Sequence, residues 1–272
     1  MKYFMLLISL SLFDLLSAQS FKSRTLSKID KSPIGYVNIG IFNKNVGTTS
    51  DANGSFEIFL DDKYSNDSLT FSCIGFDTFK ILVSDFKMLK NNNIFLTERS
   101  YKLSETIVLP KKLKKKTLGV TTKSKSIASG FSDNILGYEM GIMMPIKKSA
   151  KINSVNLNIL YCKYDTIFYR INVYEVRDRR RKIYENVLLS PVYLTIPKDK
   201  INGTLSLDLS NKDIWVSGDC LVTIECVKNL GKGNLYFCSG IGHSTYFRKT
   251  SQGEWKSVPI GISLSVNVDL EY

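Results

Sequence analysis

The sequence contains a single histidine, His243, among 272 residues. Catalytic triads and zinc sites rely on histidine, so this scarcity excludes most histidine-dependent chemistry. Nucleophile elbows, zincin motifs, phosphate-binding loops and dinucleotide fingerprints are also missing. Ser239 and Ser244 flank His243, but a lone histidine in a glycine-rich turn is typical of a surface loop. The sequence therefore predicts no catalytic residue, no metal ligand set and no cofactor.

Long apolar runs are also lacking after the N-terminus. Met1–Ala18 combines Lys2, an apolar stretch and a small residue, Ala18, at a plausible cleavage site. This pattern is typical of a secretory signal peptide over residues 1–18. An uncleaved anchor is the alternative, but the run is shorter than the ~20 apolar residues that span a membrane. We expect an exported protein that is periplasmic, associated with the outer membrane or secreted.

Cysteines are few and odd in number: Cys73, Cys162, Cys220, Cys226 and Cys238. An odd count leaves at least one free thiol or an intermolecular bridge. Cys220 and Cys226 lie on one predicted strand, where six residues at ~3.3 Å each hold them too far apart to pair. Two alternatives stay open, namely a bridge between strands and five buried thiols that act as small apolar residues.

The net charge of +12 is concentrated in one segment. Residues 110–126 hold seven lysines and no acid. Because like charges repel, this composition predicts an extended, solvated linker between two domains. Lys111, Lys112, Lys114, Lys115 and Lys116 are candidates for contact with a polyanion or an anionic membrane surface. A second basic group, residues 177–182, is typical of a hairpin tip. Nucleic acid is not an expected partner, because its binding motifs are absent.

Alternating apolar and polar residues predict strands in both halves of the chain. Three clear examples are Val155–Tyr161, Leu205–Leu209 and Ile262–Leu270. The sequences Asn53-Gly54 and Asn202-Gly203 indicate hairpin turns. One short helical turn is predicted over Ser84–Lys90. Strands with one dry face and one wet face are typical of antiparallel sandwiches, so the pattern predicts an all-β fold.

Four motifs follow one another in the first half: PIGYVNI from Pro33, GTTSDANGSF from Gly47, DSLTFSCIGFDT from Asp67 and LSETIVL from Leu103. In this order they resemble the carboxypeptidase regulatory-like domain over residues 23–109. The resemblance implies a seven-stranded, transthyretin-like sandwich and a Gram-negative envelope setting. Leu26–Asp30 departs from the family's opening string, which predicts a shortened or frayed first strand. Asp51 and Asn53 are expected to stabilise a turn, since the further ligands of a calcium loop are missing.

The resemblance does not imply peptidase activity, because that domain is an appendage to the zinc enzyme. The second half resembles the jelly-roll-type sandwich that often follows such domains in exported proteins. The predicted organisation is a signal peptide (1–18), a regulatory-like sandwich (19–109), a basic linker (110–126) and a jelly-roll-like sandwich (127–272).

Aromatic residues of the second half offer one candidate binding site. Trp215, Trp255 and Tyr246 are candidates for a surface on which a sugar stacks. The alternative is that these rings are buried in the core, as strand aromatics usually are. Two exposed rings side by side would favour the binding site.

Together these features predict a non-catalytic, exported module that binds or scaffolds an envelope protein or glycan. The alternative is a hydrolase of envelope sugars or peptides with its site in the second domain. A pocket with two or more convergent acids, or His243 paired with Ser and Asp, would favour the hydrolase.

Overall fold

A computed structural model describes residues 19–89, 93–99, 112–180, 182–201 and 203–271. Regular structure in these residues is almost entirely strand, which confirms the all-β prediction. The exceptions are helix α1 (Val83–Lys87), where a helical turn was expected, and three short 3-10 turns at Asp62–Tyr64, Lys198–Lys200 and Ser210–Lys212. None of the described helices has the length and apolar character that a membrane span requires.

The first domain has seven described strands in two sheets, as the family resemblance implies. One sheet has the order β4-β1-β7 and the other the order β3-β2-β5-β6. The strands are β1 (Gln19–Ser27), β2 (Asn38–Ile41), β3 (Gly47–Thr49), β4 (Ser55–Leu60), β5 (Ser68–Ser72), β6 (Phe79–Leu82) and β7 (Asn93–Leu96). Apolar residues from both sheets, among them Ile39, Ile58 and Phe71, form one core.

The expectation of a shortened first strand is wrong. Strand β1 is nine residues long, pairing antiparallel with β4 and parallel with β7. Phe21 packs against the core, and the three inward positions that follow it are the small, buried polar residues Ser23, Thr25 and Ser27. The Thr25 hydroxyl donates to the carbonyl of Ile34 at 2.7 Å. Hydrogen bonds therefore stabilise a strand whose sequence lacks the expected motif.

The second domain is an antiparallel sandwich of thirteen described strands. They are β8 (Leu113–Gly119), β9 (Ala128–Phe131), β10 (Glu139–Met144), β11 (Ser149–Cys162), β12 (Thr166–Asp178), β13 (Ile183–Asn186), β14 (Val192–Pro197), β15 (Thr204–Asp208), β16 (Ile214–Ser217), β17 (Cys220–Glu225), β18 (Leu235–Arg248), β19 (Lys256–Ile262) and β20 (Leu264–Glu271). The main path runs β13-β12-β17-β10-β18-β11-β20-β8. Between the two layers lies a large apolar core that includes Phe131, Tyr169 and Phe237.

The linker prediction requires correction for seven of its residues. Strand β8 pairs antiparallel with β20 at the end of the sheet, and Leu118 on it is buried. Lys114, Lys115 and Lys116 are exposed on this edge strand. Lysine suits such an edge because it repels the edges of other chains. The like charges therefore do not prevent strand formation, since water solvates each side chain separately.

The two domains pack closely against each other along β2 and β3. Gln252 donates to Ser72 at 2.8 Å, and Thr49 donates to the carbonyl of Val227 at 3.2 Å. A Cβ atom on Gly40 or Gly47 would lie only 2.4 or 2.2 Å from the carbonyl oxygen of Ser251. Glycine is therefore required at both positions for this close approach.

Candidate functional site

A cleft of about 370 Å³ lies between the two domains. Its first wall is the outward face of β2, β5 and β6, where Asn38, Thr70 and Lys80 point away from the domain core. The second wall is the outward face of β12 and β13, with Asn172 and Asn186. We call this space the interdomain cleft. Ligand sites commonly occur at such domain boundaries.

Four charged residues lie in one row across the sheet at the base of the interdomain cleft. Arg170 on β12 is opposite Glu225 on β17, Glu225 is opposite Glu139 on β10, and Glu139 is opposite Arg248 on β18. The side chains of Arg170 and Arg248 are 2% and 9% exposed, and both carboxylates are fully buried. We call these four residues the charged row.

Each carboxylate of the charged row binds an arginine. Arg170 Nη2 lies 2.7 Å from Glu225 Oε2, and Arg248 Nη2 lies 2.6 Å from Glu139 Oε2. The amide of Asn172 donates to both carboxylates at 2.8 Å. The hydroxyl of Thr223 also donates to Glu139. Two positive and two negative charges thus compensate each other, as buried ions require.

One carboxylate oxygen of the charged row lacks a hydrogen bond. Glu225 Oε1 is buried without a partner among the described residues, and Arg248 Nη2 lies 4.0 Å away. Arg170 also connects the row to the first domain, donating to the carbonyl of Tyr36 at 2.7 Å and to Asn38 Oδ1. One guanidinium group therefore binds a carboxylate of its own domain and two acceptors of the other domain.

Burial changes the protonation equilibria of the charged row. Desolvation raises the pKa of Glu139, although the guanidinium of Arg248 opposes this shift. Desolvation lowers the pKa of Arg170, but the attraction to Glu225, the hydrogen bond to Glu225 and smaller contributions from Cys73 and Tyr174 together outweigh it, so the pKa is raised. Tyr174 is buried beside the row, and desolvation of its hydroxyl raises its pKa well above the usual value. Both arginines therefore stay charged at every physiological pH.

Aromatic rings form one side of the interdomain cleft. Trp255 packs edge-on against Tyr184 at 5.5 Å and Tyr174 at 6.1 Å between ring centroids. The guanidinium carbon of Arg248 lies 5.0 Å from the centre of the Trp255 ring. Such cation–π contact stabilises a buried arginine.

The three predicted binding aromatics do not lie together. Trp255 and Tyr246 belong to the same cluster beside the interdomain cleft, and Trp255 is only 7% exposed. Trp215 lies on β16, which pairs with β11 in a different part of the sheet, and its ring is 41% exposed. Its Nε1 donates to Asp213 at 3.1 Å. The single stacking surface suggested by the three rings therefore does not form.

Other candidate residues lie apart from the interdomain cleft. His243 is exposed on β18 next to Gly242, which has a φ of 88°. The Ser239 hydroxyl donates to the carbonyl of Phe237, two residues away. Lys112 is exposed just before β8, and Lys111 lies outside the described residues. No group of three His, Cys, Asp or Glu side chains suited to a metal ion occurs in the described ranges.

All five cysteines are described, and all five are free thiols. Cys220, Cys226 and Cys238 are buried, and Cys73 and Cys162 are partly buried. Burial raises the pKa of Cys220 and of Cys226 to about 12. A thiol with so high a pKa holds almost no thiolate at neutral pH and is a poor nucleophile.

Sequence reasoning missed the charged row because its members are scattered over more than a hundred residues. Arg170 stands between Tyr169 and Ile171, and Glu225 stands between Ile224 and Cys226. The signal that could have revealed these residues is a single charged residue within an otherwise apolar strand. Arginine and glutamate are almost never fully buried without a partner, so such a residue indicates a buried ion pair. Equal numbers of isolated basic and acidic residues in such strands indicate pairing.

Comparison with known proteins gives one family match, which lies in the first domain. Residues 25–108 match the family model of the CarboxypepD_reg-like domain. No curated protein matches the chain.

Two solved structures show distant similarity. One contains the cysteine protease and lectin-like domains of Cwp84, a surface layer associated protein of Clostridium difficile, with 14% identity over 87% of this chain and 59% of that one and a TM-score of 0.34. The other is the infectious bursal disease virus VP2 subviral particle, with 12% identity over 87% of this chain and 61% of that one and a TM-score of 0.18. The chain spans about three-fifths of the length of these structures. The family match covers residues 25–108, which lie within the first domain, and it does not extend to the second domain.

Proposed function

We propose that this protein is a non-catalytic binding or scaffolding module that is exported to the cell envelope and holds its ligand in the interdomain cleft. The observation that carries the proposal is the position of Arg170, which joins Glu225 to two acceptors of the first domain. This contact fixes the domains relative to each other. A cleft formed before binding requires little reorganisation when a ligand enters.

The charges of the charged row are better suited to holding the domains than to chemistry. Each carboxylate is fully buried and already accepts hydrogen bonds from an arginine and from Asn172. A general acid or base has to reach the proton that it transfers. The groups that do reach the interdomain cleft are mostly aromatic, amide, hydroxyl and cationic, and its one acidic side chain, Glu185, is paired with Arg177.

Site-specific photocrosslinking in the producing cell tests this proposal. A photoreactive residue replaces Phe42, which lines the interdomain cleft and is 59% exposed. The control position is Ile241, which is 78% exposed on β18 and does not line the cleft. We expect an adduct with an envelope component from position 42 and not from position 241. Adducts only with cytosolic components would contradict the proposal.

Cell fractionation with N-terminal sequencing tests export separately. The predicted signal peptide leads us to expect a mature chain that starts at Gln19 in the envelope or medium. Recovery of the chain in the cytosol with residues 1–18 intact would contradict export.

A hydrolase is the second candidate function, because the charged row places Glu139 directly opposite Glu225 beneath the interdomain cleft. A pair of carboxylates is the usual acid and base of glycosidases. The test is release of reducing ends or free amines from purified envelope polymers. Release that is lost in a Glu139→Gln variant shown to be folded, while the exposed Glu57→Gln outside the cleft retains it, would establish the hydrolase and refute the non-catalytic proposal.

A further inference from the structure

The walls of the interdomain cleft are sheet faces. On the first wall Asn38 is opposite Ser72, and Thr70 is opposite Lys80, while the alternate residues point into the core. On the second wall Asn172 and Tyr174 lie on the outward face of β12. Sheet faces present side chains, whereas a peptide that adds as a strand needs an open edge with free backbone groups. Most of the surface that a ligand of this cleft meets therefore consists of side chains, and the end strands β6 and β13 add residues at its sides.

The side chains that line the interdomain cleft carry an excess of positive charge. Five of them are basic and one, Glu185, is acidic; the basic residues are Lys80, Arg99, Arg170, Lys182 and Arg248. The positive charges of Arg170 and Arg248 are already neutralised by the carboxylates of the charged row. Glu185 is itself paired with Arg177.

Three basic residues remain at the opening of the interdomain cleft, and they come from both domains. Lys80 on β6 and Lys182 before β13 are exposed, and the Arg99 side chain is 43% exposed. The ammonium of Lys182 donates to the carbonyl of Trp255 at 2.7 Å, which holds it beside the aromatic side of the cleft. Arg99 makes one contact of 3.3 Å with Asp77, an exposed pair that contributes little. An anionic group is therefore the complement of this opening.

The remaining lining is neutral and mostly polar or aromatic, with a smaller aliphatic part formed by Ile74, Ile183 and Leu188. Hydroxyl and amide groups are contributed by Thr70, Ser72, Thr78, Asn186 and Gln252. Tyr184 and Trp255 add ring surface. Hydroxyl-rich ligands need many such donors and acceptors, and the faces of their rings pack on aromatic side chains. Fatty or purely apolar ligands would leave these polar groups unpaired, at a cost in affinity.

From the charge, the polar lining and the aromatic side together, we infer that the interdomain cleft binds a carboxylated sugar unit of an acidic polysaccharide. The carboxylate lies between Lys80 of the first domain and Lys182 of the second, and the sugar ring lies against Tyr184. This inference rests on the proposed binding function and specifies its ligand class. A cleft of about 370 Å³ has room for one to two sugar rings.

Binding to an array of carboxylated oligosaccharides, each also present as its methyl ester, tests the inference. The esters keep the shape and the hydroxyl groups but remove the charge. We expect the purified protein to bind at least one carboxylated glycan and not its ester. The glycan that binds most tightly is then titrated by calorimetry, where Lys80→Gln and Lys182→Gln should each weaken affinity about tenfold. Lys115→Gln, which removes an exposed lysine of β8 outside the cleft, should leave affinity unchanged.

Several results would overturn the inference. The first is that no glycan on the array binds in a way that depends on its carboxylate. The second is that an acid and its methyl ester bind equally well. The third is that Lys80→Gln and Lys182→Gln bind the glycan as tightly as the unmodified protein. A triglutamate peptide that binds more tightly than every glycan, and loses affinity in Lys182→Gln, would assign the cleft to acidic peptides. That last result would leave the proposed binding function intact. Hydrolysis of a bound glycan would instead contradict the non-catalytic proposal.

Discussion

The lysines of β8 and the charged row both concentrate charge, but they differ in environment and in effect. Lys114, Lys115 and Lys116 are adjacent in sequence, exposed and of one sign. The members of the charged row are distant in sequence, buried and balanced in sign. Exposed charges interact weakly through water, whereas buried charges interact strongly with their partners. The number of charged residues in a stretch of sequence therefore does not show where charge determines the structure.

The comparison also separates two roles of charge in this molecule. The β8 lysines lie on the last strand of the main sheet path, where they oppose pairing with another chain. The charged row instead connects four strands of the second domain to each other and, through Arg170, to the first domain. Substitutions in the two regions should accordingly differ in both size and kind of effect.

Removal of one charge from the charged row should have the largest effect on stability. Glu225→Gln keeps the shape of the side chain but leaves Arg170 buried without its counterion. We expect a loss of about 3–5 kcal/mol in the free energy of unfolding, measured by urea denaturation.

A matched exposed acid provides the control for this prediction. Glu185 pairs with Arg177, and both side chains are more than half exposed. Glu185→Gln should therefore change stability by no more than about 1 kcal/mol. Equal losses for the two variants would show that burial does not distinguish the charged row from surface pairs.

Disruption of the contact between the domains should have the next largest effect. In Gly47→Ala the new methyl group meets the carbonyl oxygen of Ser251, and the domains must separate locally to admit it. We expect a loss of about 1–3 kcal/mol in the same denaturation experiment. Gly240 has ordinary space for a Cβ atom, 3.6 Å from the nearest atom of Thr122, so Gly240→Ala is the control. A fully stable Gly47→Ala variant would show that the domains are not held as described.

Alternation of residues was sufficient to predict the fold class and many strands. Val155–Tyr161 lies within β11, and Leu205–Leu209 overlaps β15. The motif LSETIVL from Leu103 lies outside the described residues. The pattern failed at β8, because lysines at an edge strand point into water on both sides of the sheet and remove the alternation.

The candidate site was less predictable because it depends on register between distant strands. Trp255 was chosen for its ring, but its position in the interdomain cleft follows from its contacts with Tyr174 and Tyr184. Nothing local in sequence pairs Arg170 with Glu225, 55 residues later. Such pairs are determined by which strands become neighbours, and single-sequence patterns do not specify that order.

Neutralisation of the β8 lysines should affect association more than stability. The triple variant Lys114→Gln, Lys115→Gln and Lys116→Gln keeps the backbone pairing of β8 with β20. We expect a change in unfolding free energy of no more than about 1 kcal/mol. We also expect concentration-dependent oligomers in light scattering, because the strand edge loses its repulsion. A stable monomer at all concentrations would show that these lysines do not protect the edge.

The smallest effect should come from a single exposed acid whose contribution depends on pH. Hydrogen bonds with the hydroxyls of Ser27 and Ser32 lower the pKa of Asp30 from 3.8 to about 2. A carboxyl group with a lowered pKa in the folded state stabilises the protein above its unfolded pKa, and this contribution is lost as the pH falls through the folded value. The difference in stability between the unmodified protein and Asp30→Ala should therefore be constant above about pH 5 and shrink between pH 3.8 and about 2. Urea denaturation at a series of pH values measures it. A difference that persists undiminished at pH 2 would show that Asp30 acts through packing of its turn and not through its charge.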